Sequence, residues 1–572
     1  MNTVRSIFRW SALASTLALL LDPAAYSQCY VAEIHAPQAE EFELFGSEVA
    51  IDGGLVLSGA WLQDHAEPTN ISCNSGGVHV FSGSGANWVH EALLVPSDAA
   101  CQAYFGAALD LHGTTAVVGA YNAPGVNGER TGRAYVFERA GPAWVETSAL
   151  RALDADPNDG FGSTVAVHGD FVAVASPGFD QLEHENAGAV YLFERSGPEW
   201  IYHATLLDPF YEDNADFGAS IVISDRHLLI GAPGEREQGT EAGAVYAYEL
   251  IGGAWQYRQK LVATDGTWNR RFGTSMSLAG ARVLIGAPKS PSWHHQLGRA
   301  YLFEFAAGSG WVEHSRYLPP DQVEGALFGQ SLAMGQEHFV IGAPFLDSLT
   351  GAGYLYGKEA IGAWSFRSKL RSRDQEFGDF EFVDLAISGP VGSETIVVGA
   401  SADDAFGMQS GSVYVMQPAP FATQFCACAP VSPCGNFDVL EGCVNSTGDA
   451  ARLMACGSAS VAQDDLRVVV DGLPVGTPLL LVVGASGAAS PFADGVKCLR
   501  APYGRFPVLL SGGDGSAEYG PGLGAFAAGS FPGVLQFVAG GTVAMQAWYR
   551  DASGPCGTGG NWSSGMVVEF SL

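Results

Sequence analysis

Short runs in which apolar and polar residues alternate, each closed by Gly, Pro or Asp, fill most of this chain. Between residues 163 and 206 four follow one another: Ser163 to Val167, Phe171 to Ala175, Ala189 to Phe193 and Trp200 to Leu206. Alternation with period two predicts strands with one face buried. No run of ten or more residues keeps a helical period, so a helical solenoid is excluded.

The block of four strands recurs, and fixed marks locate it. Phe-Gly stands at Phe45-Gly46, Phe105-Gly106, Phe161-Gly162, Phe217-Gly218, Phe272-Gly273, Phe328-Gly329 and Phe377-Gly378, at intervals of 49 to 60 residues. Fourteen residues after each of the first six comes Gly-Ala or a relative, from Gly59-Ala60 to Gly342-Ala343-Pro344. A third mark has the form Gly188-Ala-Val-Tyr-Leu-Phe193, and a fourth is a Trp: Trp88, Trp144, Trp200, Trp255, Trp311 and Trp364. Marks in constant order at one period define a repeat array. Four antiparallel strands per unit in seven units predict an all-β fold, a seven-bladed β-propeller.

Six Trp-type strands serve seven Phe-Gly marks, so one outer strand is missing. The segment Cys29 to His35 precedes the first Phe-Gly much as Trp88 to Leu94 precedes the second. It is expected to complete the last blade beside Gly411 to Met416, which closes the ring and removes an exposed edge. In the seventh unit Phe377-Gly378 stands 22 residues before Gly399-Ala400. Insertions are therefore expected around Asp379 to Phe382 and Pro390 to Ser393.

The Phe-Gly, Gly-Ala-Pro and Tyr-Val-Phe series over residues 29–418 resembles the FG-GAP repeats of integrin α-subunit propellers. It is closer still to a bacterial extracellular version in which Phe-Gly-Ser-x-Val-Ala-Ile leads into Val-Val-Gly-Ala-Pro. In the integrin relatives calcium sits in Asp-rich hairpins between the first and second strands. The equivalent turns here, such as His112-Gly-Thr114, His168-Gly-Asp170 and Ser224-Asp-Arg226, are too short to wrap an ion. No calcium is expected there, and no other cofactor is indicated.

Composition adds location and partners. The first 27 residues carry Arg5 and Arg9, an apolar run from Ser11 to Leu21, and Ala25 and Ser27 before Gln28, the pattern of a cleaved signal peptide. No second apolar stretch reaches spanning length, so a secreted protein without a membrane span is expected. A net charge of −32 argues against nucleic acid and anionic membranes as partners. The 74 glycines fit a fold of many tight turns.

Ten cysteines suit an oxidising destination. Cys73 with Cys101 is one expected disulfide; Cys29 would join Cys426, Cys428, Cys434, Cys443, Cys456, Cys498 and Cys556 as an even group of eight. After Met416 the repeat stops, and residues 419–572 are expected to form a small Cys-rich β-sandwich-like domain. Strands are expected at Leu466 to Val470, Leu479 to Val483, Val534 to Val538 and Met566 to Leu572.

Candidate chemistry is sparse. Asp154, Asp156, Asn158 and Asp159 place oxygens at near-alternate positions before Gly160, either as a solvated turn or as a weak cation site without the distal Glu of a full calcium loop. His294-His295 beside Trp293 is a second candidate, for surface or ligand contact. No His-Glu-x-x-His, Gly-x-Ser-x-Gly or Walker pattern occurs, so no catalytic residue is assigned. The loops joining second to third strands and one blade to the next share a face and vary most, among them Trp61 to Ser75, Tyr121 to Thr131 and Lys289 to Leu297. These features favour a non-enzymatic binding or adhesion protein that recognises an extracellular protein or glycan. A hydrolase with an axial site and a passive envelope component are the alternatives.

Overall fold

The computed structural model describes residues 29–570 except for internal stretches, the longest being 65–72, 289–296, 371–380 and 427–442. The leader read at 1–27, the Phe377-Gly378 mark and Trp293 to His295 lie outside the described residues. The chain is all-β, with strands in seven four-stranded antiparallel sheets followed by a six-stranded and a three-stranded sheet.

The third sheet shows how sequence makes a unit. Val165–His168, Phe171–Ser176, Ala189–Ser196 and Glu199–Leu207 run as a meander from inside to outside. The second strand is buried nearly throughout because sheets cover both of its faces, whereas the outer strand is exposed or half-buried at every position but Trp200. Each Phe of the Phe-Gly mark is wholly buried between neighbouring sheets: Phe45, Phe105, Phe161, Phe217, Phe272 and Phe328. The glycine after it has φ between 85° and 102° and runs against the backbone of the preceding sheet, so a Cβ on Gly46 would collide with the Ser412 carbonyl.

The innermost strands contact one another in order round the ring, and Val49–Asp52 of the first sheet lies against Glu381–Ser388 of the seventh. The outer strand of the seventh sheet is Cys29–Ile34, paired antiparallel with Ser412–Gln417 in the register Glu33↔Tyr414 and Ile34↔Val413. The ring is thus closed by chain from both ends, as the missing Trp strand predicts.

The seventh sheet corrects one reading. Its inner strand starts at Glu381, and Phe382 occupies the place that glycine takes in the other six units. Its φ is 61°, and its carbonyl accepts the Ser331 hydroxyl at 2.6 Å just as the Gly329 carbonyl accepts Ser275 at 2.7 Å. The Phe382 side chain is buried over Gly353, where a Cβ would stand 2.5 Å from its ring. Of the first stretch read as insertion, Glu381 and Phe382 therefore belong to the inner strand itself, while Pro390 of the second lies in a hairpin, between Ser388 and Thr395, that is longer than those of the other sheets.

Beyond Gln417 the two remaining sheets share one apolar core that includes Leu453, Val468, Leu481, Met545 and Val568. A sandwich-like arrangement was expected there, but Val534 to Val538 is not a strand. Gly533–Leu535 forms one 3₁₀ turn after Pro532, and Leu535 and Phe537 point into the core beside the helix Leu523–Ser530.

Candidate functional site

The loops entering each inner strand and those leaving each second strand come out on one face. Successive sheets are joined there by backbone hydrogen bonds. Tyr104 and Phe105 donate to the Asn74 and Ser75 carbonyls at 3.4 and 3.1 Å, and Asn269, Arg271 and Phe272 donate to Thr240, Glu241 and Ala242 at 2.6, 2.8 and 3.0 Å. To make these bonds the entering loops hold two residues at positive φ: Phe42 and Leu44, Gln102 and Tyr104, Asn214 and Asp216, Asn269 and Arg271. Non-glycine residues rarely adopt this conformation, and it persists because the surrounding bonds over-determine it. The described parts of the entering loops are consequently preorganised.

Its side chains divide into arcs. Where the third to sixth units carry Pro after the Gly-Ala-type mark, the first two carry Trp61 and Tyr121. Tyr104 stands between them, with ring centroids 5.3 Å from Trp61 and 5.5 Å from Tyr121. All three remain half-buried. Burial and the neighbouring Tyr104 push the Tyr121 phenol up. A disulfide between Cys73 and Cys101 pins this corner, and Arg130 reaches the Gln102, Asn122 and Cys101 carbonyls at 3.0, 2.8 and 3.1 Å. Across the ring Arg271 bridges Asp216 and Glu241 at 3.4 and 3.5 Å. Exposed large apolar side chains stand on loops of this same face right round the ring: Phe42, Leu182, Phe210, Trp268, Phe345 and Met408.

The acidic turn at 154–159 makes hydrogen bonds of its own. Asp154 accepts the Tyr191 hydroxyl at 2.8 Å. Equivalent locks tie Tyr135 to Asp98 at 2.7 Å and Tyr301 to Asp265 at 2.9 Å, whereas in the seventh sheet Tyr414 donates to Asp403, from the loop before its own strand, at 2.5 Å. Asp159 turns back to accept the Asp156 N–H at 2.7 Å, and Asn158 takes a left-handed φ of 75°. Burial, with Asp156, Asp180 and Asp154 nearby, pushes the Asp159 carboxyl up to about 6. Among the described residues no group of three or more His, Cys, Asp or Glu is disposed to hold a metal ion. The hairpins on the opposite face spend their polar groups on one another: His112 packs on His168 at 4.1 Å, and His168 Nε2 lies 3.0 Å from Asp225.

Three carboxyls at the axis escaped the sequence reading. Glu48, Asp384 and Asp110 lie on or beside inner strands, at positions where other units carry hydroxyl or small apolar residues. All three are half-buried, with protein packed closely around them. Asp384 accepts the Val49 N–H at 2.7 Å, and Asp110 accepts Leu111 and Val167 N–H at 2.8 and 2.7 Å. Burial pushes Asp110 up to about 6 against the pull of those amides. A charged residue within an inner strand was the available signal for these, and a Tyr directly before Phe-Gly was the signal for Tyr104.

A family model described as the FG-GAP repeat matches residues 88–137, 144–193 and 255–303. The chain carries FG-GAP repeats. Each match starts at an outer, Trp-bearing strand and runs through three strands of the next sheet, from Asn87–Leu94 to Arg133–Ala140 in the first case. The FG-GAP unit is therefore offset by one strand from the sheet. That offset is why the array needs Cys29–Ile34 to finish its seventh sheet. Cys443 and Cys498 are also disulfide-bonded, whereas Cys428, Cys434 and Cys556 and the side chains of Cys29, Cys426 and Cys456 lie outside the described residues.

Proposed function

We propose that this FG-GAP protein is a secreted, non-enzymatic binding protein that contacts an extracellular protein or glycan through its loop face. The observation carrying this reading is the set of exposed aromatic and apolar side chains on loops right round that face, together with the half-buried Trp61, Tyr104 and Tyr121 arc. Monomeric proteins rarely expose such groups together without a partner, and aromatic side chains bring large contact area with few rotatable bonds. Among the described residues the opposite face has mostly short polar turns, with Val391 as its strongly exposed apolar side chain. The disulfide supports an oxidising location.

A second reading, a hydrolase working at the axis, draws on the Glu48, Asp384 and Asp110 carboxyls. Asp110 and Asp384 already accept main-chain N–H groups, which makes them caps of strand edges before they are acids for a substrate. The binding reading is therefore preferred.

The test is a glycan and extracellular-protein array probed with the mature chain, with and without calcium. Retained binding partners that are lost in Trp61→Ala and Tyr121→Ala, at unchanged melting temperature, support the proposal. Turnover of a polysaccharide that Asp384→Asn abolishes, with no array binding, would replace it.

A further inference from the structure

At the position three residues beyond the Phe of each mark, most FG-GAP units place a hydroxyl that fastens one sheet to the next. Thr164 donates to the Ala219 carbonyl at 3.2 Å, Ser220 to Gly273 at 2.7 Å, Ser275 to Gly329 at 2.7 Å and Ser331 to Phe382 at 2.6 Å. These bonds are indifferent to pH. The corresponding residues of the first and seventh sheets are Glu48 and Asp384, and they meet across the one junction that joins the two ends of the array. Asp384 also accepts Val49 N–H at 2.7 Å, a contact between residues 335 apart in sequence, whereas every other junction joins neighbouring repeats.

Glu48 directly precedes Val49, whose N–H Asp384 accepts, and the two carboxyls come within interaction range of each other across the junction. A carboxyl–carboxylate hydrogen bond requires a proton, and among the described residues no cation is at hand to replace it. None of the described residues on the seven inner strands is Lys or Arg, and the flanking strands Leu55–Ala60 and Thr395–Ala400 have no ionisable side chain. The ionisable groups facing the pair are themselves mostly acidic: Asp110 on the next inner strand, with His112 and Asp52 beyond it. Like charges this close and this enclosed cannot both ionise without cost.

We propose that the junction between the first and seventh sheets is a proton-dependent clasp, shut while Glu48 and Asp384 hold at least one proton between them and loosened when both are charged. Burial and the Asp384 charge hold the Glu48 carboxyl well above its ordinary range, and burial places Asp384 at about 6. Groups with raised folded values stabilise the closed form fully at acid pH and lose that contribution as pH rises through them. The clasp therefore weakens toward neutral and alkaline pH, opposite to ordinary acid unfolding, and it does so at the site of ring closure.

Hydrogen exchange of the full chain, followed by mass spectrometry at pH 5 and pH 8 and corrected for intrinsic rates, reads this directly. Peptides covering 44–58 and 384–400 should lose protection by about tenfold more than a reference peptide covering 220–232, one pKa unit being a tenfold effect. Glu48→Gln keeps an amide N–H to donate to Asp384 without a titrating proton, so its junction should hold protection at both pH values. Asp384→Asn serves the same purpose should Glu48→Gln fail to fold. Equal loss in junction and reference peptides of the wild-type chain, or a Glu48→Gln chain whose junction loosens as the wild type does, would overturn the clasp.

Discussion

Phe382 holds a φ of 61° where six other units place glycine, and it is tolerated because Gly353 across the interface leaves room for its ring. The two departures from the repeat compensate each other, so changing one alone should be costly. Gly353→Ala should destabilise the chain by about 1–3 kcal/mol through overpacking, read as a lower urea midpoint at unchanged slope. A second residue-scale device is the Tyr–Asp lock. In the first sheet it is replaced by a histidine pair, His79 Nδ1 lying 3.1 Å from His90 Nε2 and His79 Nε2 3.2 Å from Gln63 Oε1. Where the lock is present, Tyr191→Phe should cost about 1–2 kcal/mol, since a buried hydroxyl bonded to a carboxylate is lost. Because Asp154 is occupied in this way, calcium and EDTA should leave the melting temperature of wild type and Tyr191→Phe equally unmoved. The residue types of the turn were legible in sequence, but Asp154 and Tyr191 are 37 positions apart, and only folding shows that one satisfies the other.

Among elements, the outer strands repeat one irregularity. A bulge shifts the register between Val80 and Phe81, Val136 and Phe137, Leu192 and Phe193, and at the same point in the next three sheets. Such bulges increase local twist and turn the rim of the sheet, and here they recur with the Trp mark. The strand Cys29–Ile34 carries a shift at its corresponding place, between Tyr30 and Ala32, which marks it as a true outer strand despite its distance in sequence. Removing residues up to Ile34 should leave Ser412–Gln417 as an open apolar edge. Loss of several °C in melting temperature and concentration-dependent aggregation are expected, measured by light scattering during thermal unfolding. The Cys73–Cys101 bridge closes a separation of 28 residues. Replacing both by Ser should cost about 3 kcal/mol on chain-entropy grounds while leaving the other six sheets assembled. Alternation announced the strands well; it failed at Val534 to Val538 because apolar residues facing a core from a 3₁₀ turn look the same along the chain as a short strand.

For the whole molecule, charge sets the response to pH. Asp110, Asp159 and Asp384 are each pushed up to about 6, chiefly by burial. Their stabilising contributions are complete below about pH 4 and vanish as pH climbs through 6, while general repulsion in a chain of net charge −32 grows over the same range. Urea midpoints taken from pH 4.5 to 8 should therefore decline, and Asp110→Asn should flatten part of that decline. Period, marks and the surplus Phe-Gly were enough to determine from the sequence the repeat, the four-strand unit and the strand that closes the ring, because each depends on residues near one another or repeated at constant spacing. The aromatic arc, the Tyr–Asp locks and the axial carboxyls were decided by tertiary structure alone. Each is made by residues from different units, and a linear pattern holds no record of which neighbours a closed ring brings together or which charges it leaves without a counter-ion.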